Sequence, residues 1–89
     1  MQNYKFIISG RVQGVYYRKT TCQNAQKENY NGYVKNLPNG NVEACVSCKK
    51  EDLDKFINIL KQGSANSEVI DIKQFEIEEV FINRFEVRY

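Results

Sequence analysis

Apolar and polar residues alternate from the start of the chain. Tyr4, Phe6 and Ile8 fall on one side, while Lys5 and Ser9 flank Ile7 on the other, which predicts a strand over Tyr4–Gly10. Gly10 and Gly14 open and interrupt the stretch that follows, so Gly10–Tyr17 is expected as a loop. From about Tyr17 to Asn29 the chain is polar and free of proline and internal glycine. A helix fits there, with a thin apolar face of Thr21, Cys22 and Ala25. Asn29, Asn31 and Gly32 tolerate the left-handed geometry of a helix stop. Gly32–Asn36 predicts a short strand, Leu37-Pro38-Asn39-Gly40 a tight turn, and Asn41–Cys48 the returning strand of a hairpin.

The clearest periodicity comes next. Leu53, Phe56, Ile57 and Leu60 recur at helical spacing, Glu51 and Asp52 suit a first turn and Gly63 a stop, which predicts a helix over Lys50–Gln62. Ser64–Glu68 is a polar connection, followed by two extended segments, Val69–Glu79 and Phe81–Arg88. Ile70 and Ile72 are out of phase with Phe75 and Ile77, and a one-residue bulge near Lys73–Gln74 is expected to reconcile them. Phe81, Phe85 and Val87 are expected to share a face, with Asn83 as the exception. The order strand, helix, strand, strand, helix, strand, with a further terminal strand, predicts an α+β fold. Two helices lie on one face of a mostly antiparallel sheet, the ferredoxin-like βαββαβ arrangement. Such a fold hosts many activities, so function has to be argued from a site.

Composition narrows the choices. The chain has 89 residues, expected as one domain over 1–89, and its 13 basic and 11 acidic residues leave a net charge of +2. That balance offers no field for nucleic acid or an anionic membrane, so any bound anion must be captured locally. No apolar run is long enough to span a bilayer and the N-terminus lacks a secretory pattern, which predicts the cytoplasm. There is no histidine, which excludes every histidine-dependent triad or general base. Cys45 and Cys48 form a C-x-x-C inside an alternating strand, where residues three apart point to opposite faces, and no second pair exists for a zinc site. These cysteines and Cys22 are read as packing residues, and no metal or cofactor is expected.

The segment Gly10-Arg11-Val12-Gln13-Gly14-Val15-Tyr16-Tyr17-Arg18 leads from the first strand into the first helix. A loop that curls into a helix start presents unpaired backbone N–H groups, and the helix dipole favours negative charge there. Gly14 permits positive φ, and Arg18 can add a permanently charged fork. A phosphate or a carboxylate fits such a cradle, although two glycines at this place are also an ordinary turn and an early arginine is also an ordinary surface residue. The lysine and hydroxyl residue of a P-loop are missing.

The same nine residues resemble the acylphosphatase signature Gly-[Arg/Lys]-Val-Gln-Gly-Val-x-[Phe/Tyr]-Arg. Gly32-Tyr33-Val34-Lys35-Asn36 is similar to that family's Gly-Trp-Val-x-Asn, and Leu37-Pro38-Asn39-Gly40-Asn41-Val42-Glu43 and Phe85-Glu86-Val87-Arg88-Tyr89 extend the likeness over nearly the whole chain. The resemblance implies a ferredoxin-like sandwich that hydrolyses the carboxyl–phosphate bond of acyl phosphates without metal or cofactor. It implies Arg18 as catalytic arginine, Asn36 as the water-binding asparagine, and Gln13, Gly14, Val15, Tyr16 and Tyr17 as phosphate ligands through their backbone N–H groups. Tyr16 and Tyr17 are otherwise read as wall or core residues, and Asn36, taken alone, as a turn residue. The implied partners are a small-molecule acyl phosphate and inorganic phosphate as product, with no nucleic acid and no membrane, and a monomer is expected.

Departures from the family pattern have consequences for packing. Tyr33 replaces tryptophan and Asn39 replaces aspartate, both expected to be tolerated. Glu28-Asn29-Tyr30 stands where many members carry Leu-Gly-Leu, which predicts looser packing at the end of the first helix, and Ser64-Ala65-Asn66 lacks a common proline. Two rival readings remain. One is a non-catalytic module of the same fold binding phosphate or carbamoyl phosphate, against which a free-standing chain of this length is expected to be an enzyme. The other is a single-stranded RNA module, which stacks bases on aromatics of its central strands. Asn41–Cys48 has none.

Overall fold

Alternation along the first strand decides which side of the sheet the helices cover. The computed structural model describes residues 1–89, and in it Tyr4, Phe6 and Ile8 are buried in the main core while Lys5 and Ile7 are only half-buried on the other face. The elements are β1 (Gln2–Arg11), α1 (Tyr17–Lys27), β2 (Asn31–Asn36), β3 (Val42–Cys48), α2 (Leu53–Gln62), β4 (Glu68–Glu76) and β5 (Glu86–Arg88). They form one five-stranded sheet in the order β4-β1-β3-β2-β5. All neighbours are antiparallel except β2 and β5. This is the ferredoxin-like architecture that the pattern predicts, mostly antiparallel with both helices on one face. No helix is long and apolar enough to cross a membrane.

The core lies between the sheet and the helices. Thr21, Cys22 and Ala25 of α1 and Phe56, Ile59 and Leu60 of α2 are buried against Tyr4, Phe6, Ile8, Val34, Ala44 and Val46. Phe56 is its centre, with ring centroids of Phe6, Tyr30 and Phe85 at 5.7, 5.1 and 5.8 Å. Burying one such side chain contributes about 2–3 kcal/mol.

The helix ends follow local chemistry. Residues Lys50–Asp52 form a single 3₁₀ turn ahead of α2, so the helix expected from Lys50 is α-helical only from Leu53. With no side chain capping this end, the first turn tightens into i→i+3 bonding. At the end of α1, Asn29 takes φ 61°, and the bonds Asn29 N–H to Gln26 O and Tyr30 N–H to Ala25 O close a Schellman turn. Asparagine fills a position that usually favours glycine. The looser packing expected at Glu28-Asn29-Tyr30 does not occur, because the turn aims Tyr30 into the core, where it is 6% exposed.

Three further expectations need correction. The bulge falls at Ile70: Ser9 pairs with Asp71 but Gly10 pairs with Val69, leaving one β4 residue unopposed. Gly10 permits this close approach, since its φ is 124° and a Cβ there would collide with the Glu68 carbonyl. Lys73 and Gln74 are in ordinary register, and Phe75 and Ile77 simply belong to the face away from the helices, where Ile77 packs on a second small cluster of Tyr33, Cys45 and Phe81. Phe81 therefore does not share a face with Phe85 and Val87. Its N–H donates to Ser47 Oγ at 2.8 Å and its ring meets Tyr33 edge-on at 5.6 Å. Only Glu86–Arg88 of the expected last strand is extended, running parallel to β2.

Cys45 and Cys48 lie on opposite faces of β3, as their spacing requires, and all three cysteines are free and buried. Burial pushes each thiol above its ordinary range. It also raises Tyr17, Tyr33 (helped by neighbouring Cys45 and Glu43, whose Oε2 accepts its hydroxyl at 2.6 Å) and Tyr30, the last to about 12 from 10.0. The folded chain holds these protons more tightly than the unfolded one. Their contribution is complete below about pH 9 and is lost as pH rises through the folded-state values. Urea unfolding at pH 8, 10 and 11 should show a falling midpoint; a constant midpoint would mean that these groups are not buried as described.

Candidate active site

The register of three strands brings the two motifs together. Val42 of β3 pairs with Ile8 on one side and with Asn36 on the other. Asn36 thus lies two strand spacings, roughly 9–10 Å, from Ile8, shortly before β1 runs out into the Gly10–Arg18 loop. On the far side of β2, Val34 pairs with Val87 and Lys35 with Arg88, so Tyr89 comes level with Asn36. Gly14, Tyr16, Arg18, Asn36, Val87 and Tyr89 are among the residues around one open cleft of about 560 Å³.

The loop has an unusual backbone. φ is positive at Gly14 (72°) and again at Tyr16 (63°), with Val15 between them outside the positive region. Alternation of this kind turns successive N–H groups toward a common point, the nest geometry that receives anions. A side chain on Gly14 would have open space, so glycine is required there for its φ alone. At Tyr16 a bulky side chain tolerates the same region at a cost of order 1–2 kcal/mol. No turn, loop or cap hydrogen bond uses the backbone N–H groups from Gln13 to Lys19; the first that does is Thr20 N–H to Tyr16 O at 3.1 Å. The first turn of α1 carries no acidic residue, and no side chain caps it.

What holds the loop leaves those N–H groups uncommitted. Gln13 Nε2 donates to both Leu37 O and Asn41 O at 2.8 Å, tying the loop to the β2–β3 turn. Ser64 Oγ donates to Val15 O at 2.5 Å. The buried Tyr17 hydroxyl donates to Leu60 O at 2.6 Å, anchoring the start of α1 to the end of α2. The turn itself is closed by Gly40 N–H to Leu37 O at 3.2 Å and Leu37 N–H to Asn41 O at 2.8 Å. Each restraint uses a side-chain donor or a carbonyl acceptor.

Arg18 is half-buried, donates Nη1–H to Arg88 O at 3.3 Å and sits 4.8 Å from the centroid of the Tyr89 ring. It forms no ion pair, and no Asp or Glu side chain lines the cleft. Its charge is held in place by a carbonyl and an aromatic face without being neutralised. Asn36 Oδ1 is buried and has no hydrogen-bond partner. Such orphaned acceptors are rare in folded chains and mark a place for a ligand or water. No group of three or more His, Cys, Asp or Glu side chains gathers that could hold a metal ion.

Every residue singled out from the sequence is at this site. Gly14, Tyr16, Tyr17, Arg18 and Asn36 line the cleft, and Gln13 and Val15 belong to its loop. Tyr17 is the buried anchor and Tyr16 the exposed wall. The strut formed by the Gln13 side chain, and the contribution of Val87 and Tyr89, were not legible beforehand. The first needed the hairpin's position and the second the parallel pairing of β5.

A family model for acylphosphatase matches residues 4–87. The chain belongs to the acylphosphatase family. It is 43% identical over 88 residues to the acylphosphatase of Methanocella arvoryzae, an alignment covering 99% of this chain and 100% of that one. It superposes on the crystal structure of acylphosphatase from Bacillus subtilis with a TM-score of 0.91 at 36% identity, covering 100% of both chains. It is also similar, at a TM-score of 0.83 and 26% identity, to full-length HypF in a phosphate- and nucleotide-bound form, covering 99% of this chain and 12% of that one.

The Gln13 strut is testable by itself. Gln13→Leu removes two bonds to carbonyls that each retain one other donor, and should lower unfolding free energy by about 1–2 kcal/mol in urea titrations. An unchanged midpoint would show that the loop is held by other means.

Proposed function

We propose that this chain is an acylphosphatase that hydrolyses the carboxyl–phosphate bond of small acyl phosphates, acting as a cytoplasmic monomer without metal or cofactor. The observation that carries the reading is the meeting, in one cleft, of an uncapped helix start, an arginine without a counter-ion and a buried asparagine oxygen without a partner. The backbone N–H groups of Gln13, Gly14, Val15, Tyr16 and Tyr17 hold the phosphoryl oxygens. Arg18 adds a charged fork and stabilises the charge that builds on them in the transition state.

Asn36 orients the attacking water, its Oδ1 accepting a hydrogen bond from that water. The water oxygen bonds to phosphorus as the bond from phosphorus to the acyl oxygen breaks, and the carboxylate leaves. Asparagine cannot act as a strong base, so both protons of the water end on the released phosphate. A carboxylate needs no protonation to depart, which is why positioning and charge stabilisation suffice and why a chain without histidine can catalyse the step. A module that only bound phosphate would need the nest and Arg18 but would have no use for an unpartnered acceptor at Asn36.

Hydrolysis of acetyl phosphate, followed by phosphate release in the presence of a chelator, tests this. The wild type should turn over at a rate unaffected by chelator. Arg18→Ala should lose at least about 100-fold in kcat with native circular dichroism, by analogy with removal of a transition-state donor. Asn36→Ala should lose kcat while still binding inorganic phosphate. If both variants fold and keep near-normal rates, the site assignment is wrong.

A further inference from the structure

Beside the phosphate cradle the cleft has a wall with no structural purpose in the fold. The Tyr16 side chain is 74% exposed although its backbone is held in the left-handed region, its ring stacks on no other aromatic ring, and its hydroxyl makes no hydrogen bond within the chain. A core role is excluded by that exposure, and a solvated tyrosine gains nothing that offsets the backbone cost. The residue before Arg18 on the buried side, Tyr17, already supplies the anchor. The same cleft is lined by Val87 and the exposed Tyr89, so the space next to the nest is bounded in part by two aromatic rings and an aliphatic side chain, with no Asp or Glu side chain. A ligand whose phosphoryl group sits in the nest must extend its other end along these surfaces or into solvent.

Taking the proposed hydrolysis as given, we propose that Tyr16, with Val87 and Tyr89, forms an acyl-group subsite that selects acyl phosphates bearing an aromatic or extended apolar acyl group over those with a short one. The nest fixes Tyr16 through its own backbone, so the residue that donates an N–H to the phosphate also sets the ring's position relative to it. Discrimination then comes from apolar and ring-to-ring contact with the acyl group, which a methyl group cannot make.

The test compares kcat/KM for benzoyl phosphate and acetyl phosphate in the wild type, Tyr16→Phe and Tyr16→Gly. Glycine removes the ring and suits the left-handed backbone better than tyrosine does, so the nest is retained. The wild type should favour benzoyl phosphate. Tyr16→Gly should reduce the ratio of the two kcat/KM values by about five- to tenfold, carried mainly by KM, and Tyr16→Phe should leave it within about twofold. Benzylphosphonate should likewise inhibit the wild type more tightly than methylphosphonate, and this reading does not depend on any variant folding. A ratio that is the same in wild type and Tyr16→Gly, or equal inhibition by the two phosphonates, overturns the subsite alone. Hydrolysis of neither acyl phosphate by the wild type overturns the proposed activity and the subsite with it.

Discussion

The strand β3 holds β1 and β2 in one register, and the candidate site depends on that pairing. Both neighbours run antiparallel to β3 and hence parallel to each other, so their C-terminal ends emerge on the same side of the sheet. The shared partner, Val42, sets Ile8 and Asn36 level. β3 can do this because it is the middle strand and all of its residues are buried, which penalises any slip: a shift of one residue would turn Val42, Ala44 and Val46 out of the core and bring Glu43 in. The precision of the cleft is inherited from the core.

A second constraint acts on the loop. Its backbone must reverse hand at Gly14 and Tyr16 and stay reversed, yet its N–H groups must remain unbonded. Side-chain struts from Gln13, Ser64 and Tyr17 meet both demands, because they fasten the loop through carbonyls of the surrounding turns and helix and through the one loop carbonyl of Val15. The result is a concentration of positive potential in a chain whose net charge is only +2. Arg18 contributes a formal charge, positioned by Arg88 O and the Tyr89 ring, neither of which cancels it.

Legibility in the sequence followed the strength of local signals. Strict alternation at Tyr4, Phe6 and Ile8 and helical spacing at Leu53, Phe56 and Leu60 located β1 and α2, and the hairpin was announced by Leu37-Pro38-Asn39-Gly40. Where two faces of the sheet both carry apolar residues, alternation became ambiguous. Ile77 and Phe81 belong to a small cluster on the face away from the helices, and Phe75 lies exposed on that same face, so a phase change that looked like a bulge at Lys73–Gln74 was a change of face. The true bulge at Ile70 depends on how closely Gly10 approaches β4, which no single strand records. The nine-residue loop motif and Asn36 stood out because they resemble the acylphosphatase signature, and the structure brings Gly14, Tyr16, Tyr17, Arg18 and Asn36 to one cleft. The roles of the Gln13 side chain, Val87 and Tyr89 arise from contacts between segments far apart in the chain.

The central claim is that the loop binds an anion through its backbone and that this is where chemistry begins. Titrating the uniformly ¹⁵N-labelled protein with inorganic phosphate and following its amide resonances tests that claim residue by residue. The account predicts saturable shifts concentrated at Gln13 to Lys19, with a smaller response at Asn36 and Tyr89. Shifts scattered over surface lysines, or none at the loop at concentrations that saturate other sites, would contradict it.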